Sequence, residues 1–257
     1  MASPPNGGTL TTKTAKITPS SIFHFDDWKN RFRVDAGFTT RHCPVFLSKT
    51  DDLLNPIHQE NLKKQFPFSS RFIFLNQVHG ANVAVLKDKD KFTKDGFYHL
   101  PGTDGVITNV RGLSLLVLTA DCLPIYFVAG EWIGLAHAGW RGAKEGIAGK
   151  TFKLLLEKSK CKPSQVRILF GPCICRNHYE VGKEFQQFFP KTTRRQEDFK
   201  LTFDLAEENK KQLVHAGALD KNIEDLEICT VCENSAFYSY RREKDTAGRL
   251  ISFIRKI

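Results

Sequence analysis

The stretch from Leu118 to Gly142, LTADCLPIYFVAGEWIGLAHAGWRG, constrains the fold of this chain more than any other. The apolar run Leu113–Thr119 is strand-like, and Cys122 falls just where that run gives out. A second run, Ile133 to Ala136, delivers His137. If the two runs pair as neighbours, Cys122 and His137 lie at adjacent strand ends. Gly134, Gly139 and Gly142 then permit close backbone approach and a sharp turn. Either residue alone is ordinary core material, a small buried thiol or a hydrogen-bonded imidazole. Their joint placement is the layout of a site.

With 257 residues, 41% of them apolar, and 21 Phe, the chain can bury a full core as one large domain or two closely packed ones. No apolar run approaches the roughly 18 residues that span a bilayer, and the opening MASPPNGGTLTTKTAKITPSS lacks a hydrophobic signal core, so no membrane role and a cytoplasmic location are expected. Residues 1–20, rich in Thr, Ser, Pro and Gly, are expected to form a disordered tail before a domain at 21–257. Seven Cys without a small-scaffold spacing fit reduced thiols better than a disulfide framework. The net charge of +10 favours anionic partners. Nucleic acid is disfavoured among them, because the basic residues are scattered and form only short runs such as Arg194-Arg195 and Arg241-Arg242.

Along the chain, Phe32 to Phe38 reads as a strand ending at Thr39, Thr40 and Arg41, and Asp51 to Phe66 as a turn and short helix broken by Pro56. Arg71 to Gly80, RFIFLNQVHG, is an apolar strand that ends at a third candidate ligand, His79, with Asn82 to Leu86 expected to return as its paired strand. Residues 87–102 read as a surface excursion, and Asp104-Gly105 as a turn, with a catalytic role for Asp104 the minority reading. Ala143 to Lys158 is an amphipathic helix that follows HAGWRG directly. Val166 to Phe170 is a strand, and DLAEENKKQLVHAG from Asp204 is a capped helix stopped at Gly217. Ile223 to Cys229 and Leu250 to Ile254 complete the strands. Cys173, Cys175 and His178 could form a second metal site, but three residues within six positions rarely enclose an ion without a distant fourth ligand, and a structural role is favoured. Cys229 and Cys232 form a lone C-x-x-C and are read as packing residues. Short strands interrupted by helices in no strict βαβ rhythm give an α+β fold with mixed sheets and no linker that splits it.

His79, Cys122 and His137 together supply two imidazoles and a thiolate, a set suited to zinc. Three ligands leave one position open, the mark of a catalytic rather than a structural ion. The rival use of the same atoms is a cysteine hydrolase, with the Cys122 thiolate activated by a histidine.

Eight motifs, GFTTR, NQVHG, TDGVITN, TADCLPIY, HAGWRG, GPCI, YEVG and SYRR with a downstream GR, resemble the YfiH or laccase-domain family. It is also called the multicopper polyphenol oxidase family, and it includes bacterial purine nucleoside phosphorylases and the human protein FAMIN. The resemblance runs from about Phe38 to the C-terminus. It implies a single-domain α+β fold of YfiH type, with mixed β-sheets flanked by helices, and a zinc site at His79, Cys122 and His137. It further implies phosphorolysis of adenosine, inosine, guanosine and methylthioadenosine, with deamination of adenosine. The partners would be purine nucleosides and phosphate. One departure is His42, Cys43 and Pro44, where the family has a pair of glycines. Copper is disfavoured, because a multicopper oxidase needs several His-X-His pairs and none of the eight histidines forms one.

For such chemistry, Arg41, Arg141 and the helix start after Gly142 are the candidates for phosphate, Asn76 and Gln77 for base or ribose, and Tyr179 for stacking on a purine. Asp121, next to Cys122, is expected to face away from the site and to be structural.

Overall fold

The computed structural model describes residues 21–87, 90–197 and 200–257, so the expected tail at 1–20 lies outside the described residues. The strands are β1 (Ile22–His24), β2 (Val34–Thr39), β3 (Arg71–Leu75), β4 (Val83–Leu86), β5 (Gly96–Leu100), β6 (Gly105–Thr108), β7 (Leu113–Thr119) and β8 (Leu123–Ala129). They continue with β9 (Trp132–Ala138), β10 (Val166–Phe170), β11 (Glu180–Val181), β12 (Thr193–Arg195), β13 (Leu201–Phe203), β14 (Ile223–Asp225) and β15 (Leu250–Lys256). The helices are α1 (Asp26–Phe32), α2 (Pro56–Gln65), α3 (Trp140–Lys144), α4 (Ile147–Ser159), α5 (Phe185–Phe188), α6 (Leu205–His215) and α7 (Tyr240–Glu243). One mixed sheet has the order β1-β2-β15-β7-β3-β5, a second β14-β10-β8-β9-β6-β4, and β11-β13-β12 form a small third.

The period-2 alternation of side chains explains why the strands at the centre are apolar throughout. In β7, Leu113, Leu115 and Val117 point into the layer between the two large sheets, while Leu116 and Leu118 join Leu53, Leu62 and Phe66 on the side covered by α2. In the second sheet, Tyr126, Val128, Ile133 and Leu135 face the sandwich interior, and Ile125, Phe127 and Ala136 pack against Ile147, Phe152 and Leu155 of α4 and Leu213 of α6. The result is an α+β stack of helix, sheet, sheet and helices. The cap expected at Asp204 is present: its carboxylate accepts from the Glu207 N–H at 3.0 Å.

Four local expectations are corrected. The runs Leu113–Thr119 and Ile133–Ala136 do not pair, because Leu123–Ala129 is itself a strand and takes that place beside β9, with Pro124 opposite His137. Strand β7 lies in the other sheet, between β15 and β3. Val83–Leu86 pairs with β6 rather than returning along β3, and the supposed surface excursion contributes β5, parallel to β3. The helix begins at Trp140, inside HAGWRG, and is broken at Gly146 (φ +80°) before α4. The first three share one cause: a chain that builds two stacked sheets can cross between them at a short turn, and local periodicity carries no record of the crossing.

Two such crossings and one strand exit converge at one end of the sandwich. They are the loop after β3, the turn Ala120–Cys122 between β7 and β8, and the exit of β9 into α3.

Candidate active site at a cysteine and histidine cluster

Those three exits carry His79, Cys122 and His137, whose ligand atoms lie within 4.8 Å of one another. The backbone is bent to achieve this. His79 has φ +60° and Asp121, before the cysteine, φ +92°, both in the left-handed region that side chains enter only when the surroundings hold them there.

Asp104 supplies much of that hold. It is fully buried, and its carboxylate accepts the backbone N–H groups of His79 (3.0 Å), Gly80 (2.8 Å) and Val78 (3.2 Å) while lying 2.9 Å from Nδ1 of His137. One carboxylate therefore shapes the loop that presents the first histidine and fixes the ring of the second, leaving Nε2 of His137 for a ligand. Burial pushes the Asp104 carboxyl up, but His137 and the backbone donors outweigh it and hold it below the usual carboxylate range. Gln77 adds a second clamp, donating to the Leu118 carbonyl and accepting the Leu118 N–H, both at 2.7 Å.

Burial also pushes the Cys122 thiol up, yet His137 and His79 bring it down to about 6. Burial pushes His137 down, and Cys122 and Asp104 raise it to about 9. Without metal the pair is thiolate and imidazolium between those values. The donor set fits a divalent ion, and space is kept for it: a Cβ on Gly139 would stand 2.9 Å from the His79 ring and 3.1 Å from the Cys122 sulfur.

A pH dependence follows. Because the His137 proton is held up to about pH 9, an entering ion must expel it, and zinc affinity should rise about tenfold per pH unit from neutrality to about pH 9, then level off. Competition against a zinc chelator with known proton affinities measures this. A flat profile across that window would show that His137 does not share its lone pair with the ion.

The cluster forms the floor of a cavity of about 650 Å³. Lys49, Arg141, Arg241, Lys244 and Arg249 bring positive charge to its walls, and Trp140, Tyr179 and Tyr240 bring aromatic surface. The Arg141 guanidinium lies 4.4 Å from the Trp140 ring, and that of Arg241 lies 5.4 Å from Tyr179. Asp121 also lines the cavity, but both its oxygens are engaged, by the Thr230 hydroxyl and the Arg241 N–H, each at 2.6 Å.

Of the other residues singled out from sequence, Arg141, Gln77 and Tyr179 line this cavity, whereas Arg41 and Asn76 are not among its lining residues. Arg41 is committed to the Asn234 carbonyl (2.7 Å) and the Glu243 carboxylate (3.2 Å), and it lies 5.0 Å from the Tyr238 ring. The Gln77 amide is spent on Leu118. Asp104, whose sequence favours a turn over a catalytic role, is the principal orienting group; it sits in the TDGVITN motif, but its role depends on backbone groups 24 to 26 residues away. Arg241 and Arg249 did carry a signal, since they sit in the SYRR and GR motifs. Beside the unusual His42-Cys43-Pro44 segment, Cys43 is buried with Val45 and Leu47 on the α2 side.

A second convergence goes beyond the reading of Cys229 and Cys232 as packing residues. Their sulfurs meet Cys175 and His178, with all four ligand atoms within 4.8 Å. Cys173 stays apart, buried in the core.

Residues 56–256 match the family described as multi-copper polyphenol oxidoreductase laccase. A purine nucleoside phosphorylase YlmD of Geobacillus stearothermophilus is 36% identical over 244 residues, covering 85% of this chain and 89% of that protein. An adenosine deaminase RL5 from an unknown prokaryotic organism is 30% identical over 69% of this chain and 72% of its own length. Among solved structures, a Bacillus licheniformis hypothetical protein YfiH superposes with a TM-score of 0.80 at 28% identity, covering 94% of this chain and 98% of that one. The topology, the Cys/His floor of the cavity and these matches agree: the chain belongs to the laccase-like YfiH family.

Proposed function

We propose that this protein is a zinc-dependent purine nucleoside enzyme. It would cleave adenosine, inosine, guanosine and methylthioadenosine with phosphate to give base and ribose 1-phosphate, and would deaminate adenosine. The observation that carries the proposal is a two-histidine, one-thiolate cluster at the floor of a cavity walled by cations and aromatic rings. Relatives named for phosphorolysis and for deamination support it. His79, Cys122 and His137 would hold a zinc ion, which would supply Lewis acidity at the cavity floor.

The chain's own residues do the rest. In phosphorolysis a phosphate oxygen bonds to C1′ as the bond from C1′ to the base nitrogen breaks, its electron pair leaves with the base, and a proton follows it. The task of the enzyme is to hold an anion in line and to balance charge as it moves. Of the cavity-lining residues, Arg141, Arg241 and Lys244 would hold the anion, and Trp140, Tyr179 and Tyr240 would offer faces for the purine. Asp104 keeps His137 oriented, and Gln77 holds the His79 loop against β7.

A nucleoside panel assayed with and without phosphate, with base and ammonia measured separately, tests the reading. No base and no ammonia from any of the four nucleosides with zinc-loaded protein would end it. Arg141→Ala should raise KM for phosphate about tenfold to a hundredfold, the loss of a charge-assisted hydrogen bond worth ~1.5–3 kcal/mol, while ammonia release from adenosine is unchanged. An equal loss of both activities would remove Arg141 from phosphate binding.

A cysteine hydrolase is the second reading, favoured by the thiol brought down to about 6. It requires full activity in metal-free protein. A copper-dependent polyphenol oxidase is disfavoured, because the cluster contains two histidines rather than the several His-X-His pairs of a multicopper site.

A further inference from the structure

We propose that Cys175, His178, Cys229 and Cys232 form a second zinc site, structural rather than catalytic, that pins one wall of the cavity. The two pairs are Cys-x-x-His and Cys-x-x-Cys, brought together across an intervening stretch that includes β11 to β14. His178 Nδ1 lies 3.3 Å from the Cys175 sulfur, 3.5 Å from Cys232 and 3.6 Å from Cys229. Neutral hydrogen bonding does not account for three sulfurs converging on one ring nitrogen, since an imidazole nitrogen has a single lone pair and accepts one S–H. A cation at the centre does. With Zn–S ~2.3 Å and Zn–N ~2.0–2.1 Å at tetrahedral angles, sulfur and nitrogen ligands stand about 3.5–3.6 Å apart, close to the separations observed.

The backbone is built for the same purpose. Cys173 and Cys229 form a parallel bridge, with the Cys173 N–H donating to the Ile228 carbonyl at 3.1 Å and the Thr230 N–H to the Cys173 carbonyl at 3.0 Å. The Cys175 N–H donates to the Cys229 sulfur at 3.3 Å, a contact that suits a thiolate. Three thiolates and an imidazole close a tetrahedral shell and leave no place for substrate, which makes the site structural and selects zinc over harder ions. Cys229 is buried, while His178 and Cys232 are exposed, so an ion can enter without unfolding the chain.

The flanking residues reach the catalytic cavity. Ile174 and Tyr179 bracket the Cys-x-x-His pair and line the cavity, and the Ile174 N–H donates to the Asp121 carbonyl at 2.9 Å. Thr230, next to Cys229, donates to the Asp121 carboxylate, the residue before Cys122. An ion here fastens both segments to the turn that presents the catalytic thiol.

Metal content of the full-length protein, purified with zinc and a non-chelating reductant, tests the proposal independently of the nucleoside chemistry. The expected result is two zinc ions per chain in the unmodified protein and one in Cys229→Ser/Cys232→Ser. In that variant the remaining ion is the one lost in Cys122→Ala. If the double variant does not fold, cobalt reconstitution of the unmodified protein decides. Two equivalents, one with the stronger sulfur-to-metal absorption of a three-thiolate site, support the proposal. It is overturned by a single zinc that disappears in Cys122→Ala, or by a Cys229–Cys232 disulfide found by mass in reductant-purified protein. A single zinc lost only in Cys229→Ser/Cys232→Ser would support this site and instead remove the metal from the catalytic cluster.

Discussion

Cys122→Ala should lose the zinc ion at the cavity floor and, with it, release of hypoxanthine from inosine and of ammonia from adenosine. Cys122 contributes the thiolate of the cluster, and two imidazoles at separate strand ends do not replace it. Loss of an outer hydrogen-bond partner costs about 10- to 100-fold in metal affinity or activity, so loss of a ligand should cost more than that. The fold should persist, because Cys122 is only partly buried and the strands that follow it are packed on both faces. After chelator treatment the variant should melt where chelator-stripped parent melts, since both then lack every ion and what the substitution removes is the stabilisation by an ion that binds only the folded state. Metal content, turnover and melting temperature of the same preparation check this. Undiminished turnover in Cys122→Ala would remove both the metal mechanism and the cysteine hydrolase, as both use the same sulfur. Full turnover in metal-free protein of unaltered sequence, lost in Cys122→Ala, would select the hydrolase.

Asp104→Ala should be the most destabilising single change at the site. Its carboxylate is fully buried and meets three backbone N–H groups and His137. Truncation leaves those donors without an acceptor and the raised imidazolium of His137 without its partner. Breaking a buried pair in this way costs about 3–5 kcal/mol, which for a chain of this size lowers the melting temperature by roughly 10 °C. Zinc affinity should fall by about 10- to 100-fold as well, because the His79 loop and the His137 ring both lose their anchor. Asp104→Asn is not a mild substitute: whichever oxygen becomes an amide nitrogen faces a backbone N–H and repels it. Thermal melts of metal-free protein and zinc competition on folded protein separate the two effects. A variant that melts normally and binds zinc as tightly as the parent would show that strand pairing alone sets the ligand geometry.

The family description invokes several copper ions, and the chain itself bears on that. The cluster at the cavity floor holds two imidazoles and one thiolate, and the other cluster among the described residues holds three sulfurs and one imidazole. Both sets suit zinc in tetrahedral surroundings, one open and one closed.

What could be read in the sequence was whatever repeats at short range. The runs that became β2, β3, β7, β10 and β15 were visible as apolar stretches ended by polar residues, and α6 was visible because its cap, its apolar face and its terminal glycine lie within fourteen residues. His79, Cys122 and His137 were legible as candidate ligands because each stands where an apolar run ends. Tertiary structure alone decided which strands pair, since β7 and β8 are buried on both faces and their patterns do not say which sheet they enter. It also decided that Asp104 orients both histidines, that Arg41 turns to Glu243 rather than to the cavity, and that Cys229 and Cys232 meet a Cys-x-x-His pair from a distant part of the chain. Those facts depend on contacts between residues 24 to 202 positions apart, where separation along the chain carries no information about separation in space.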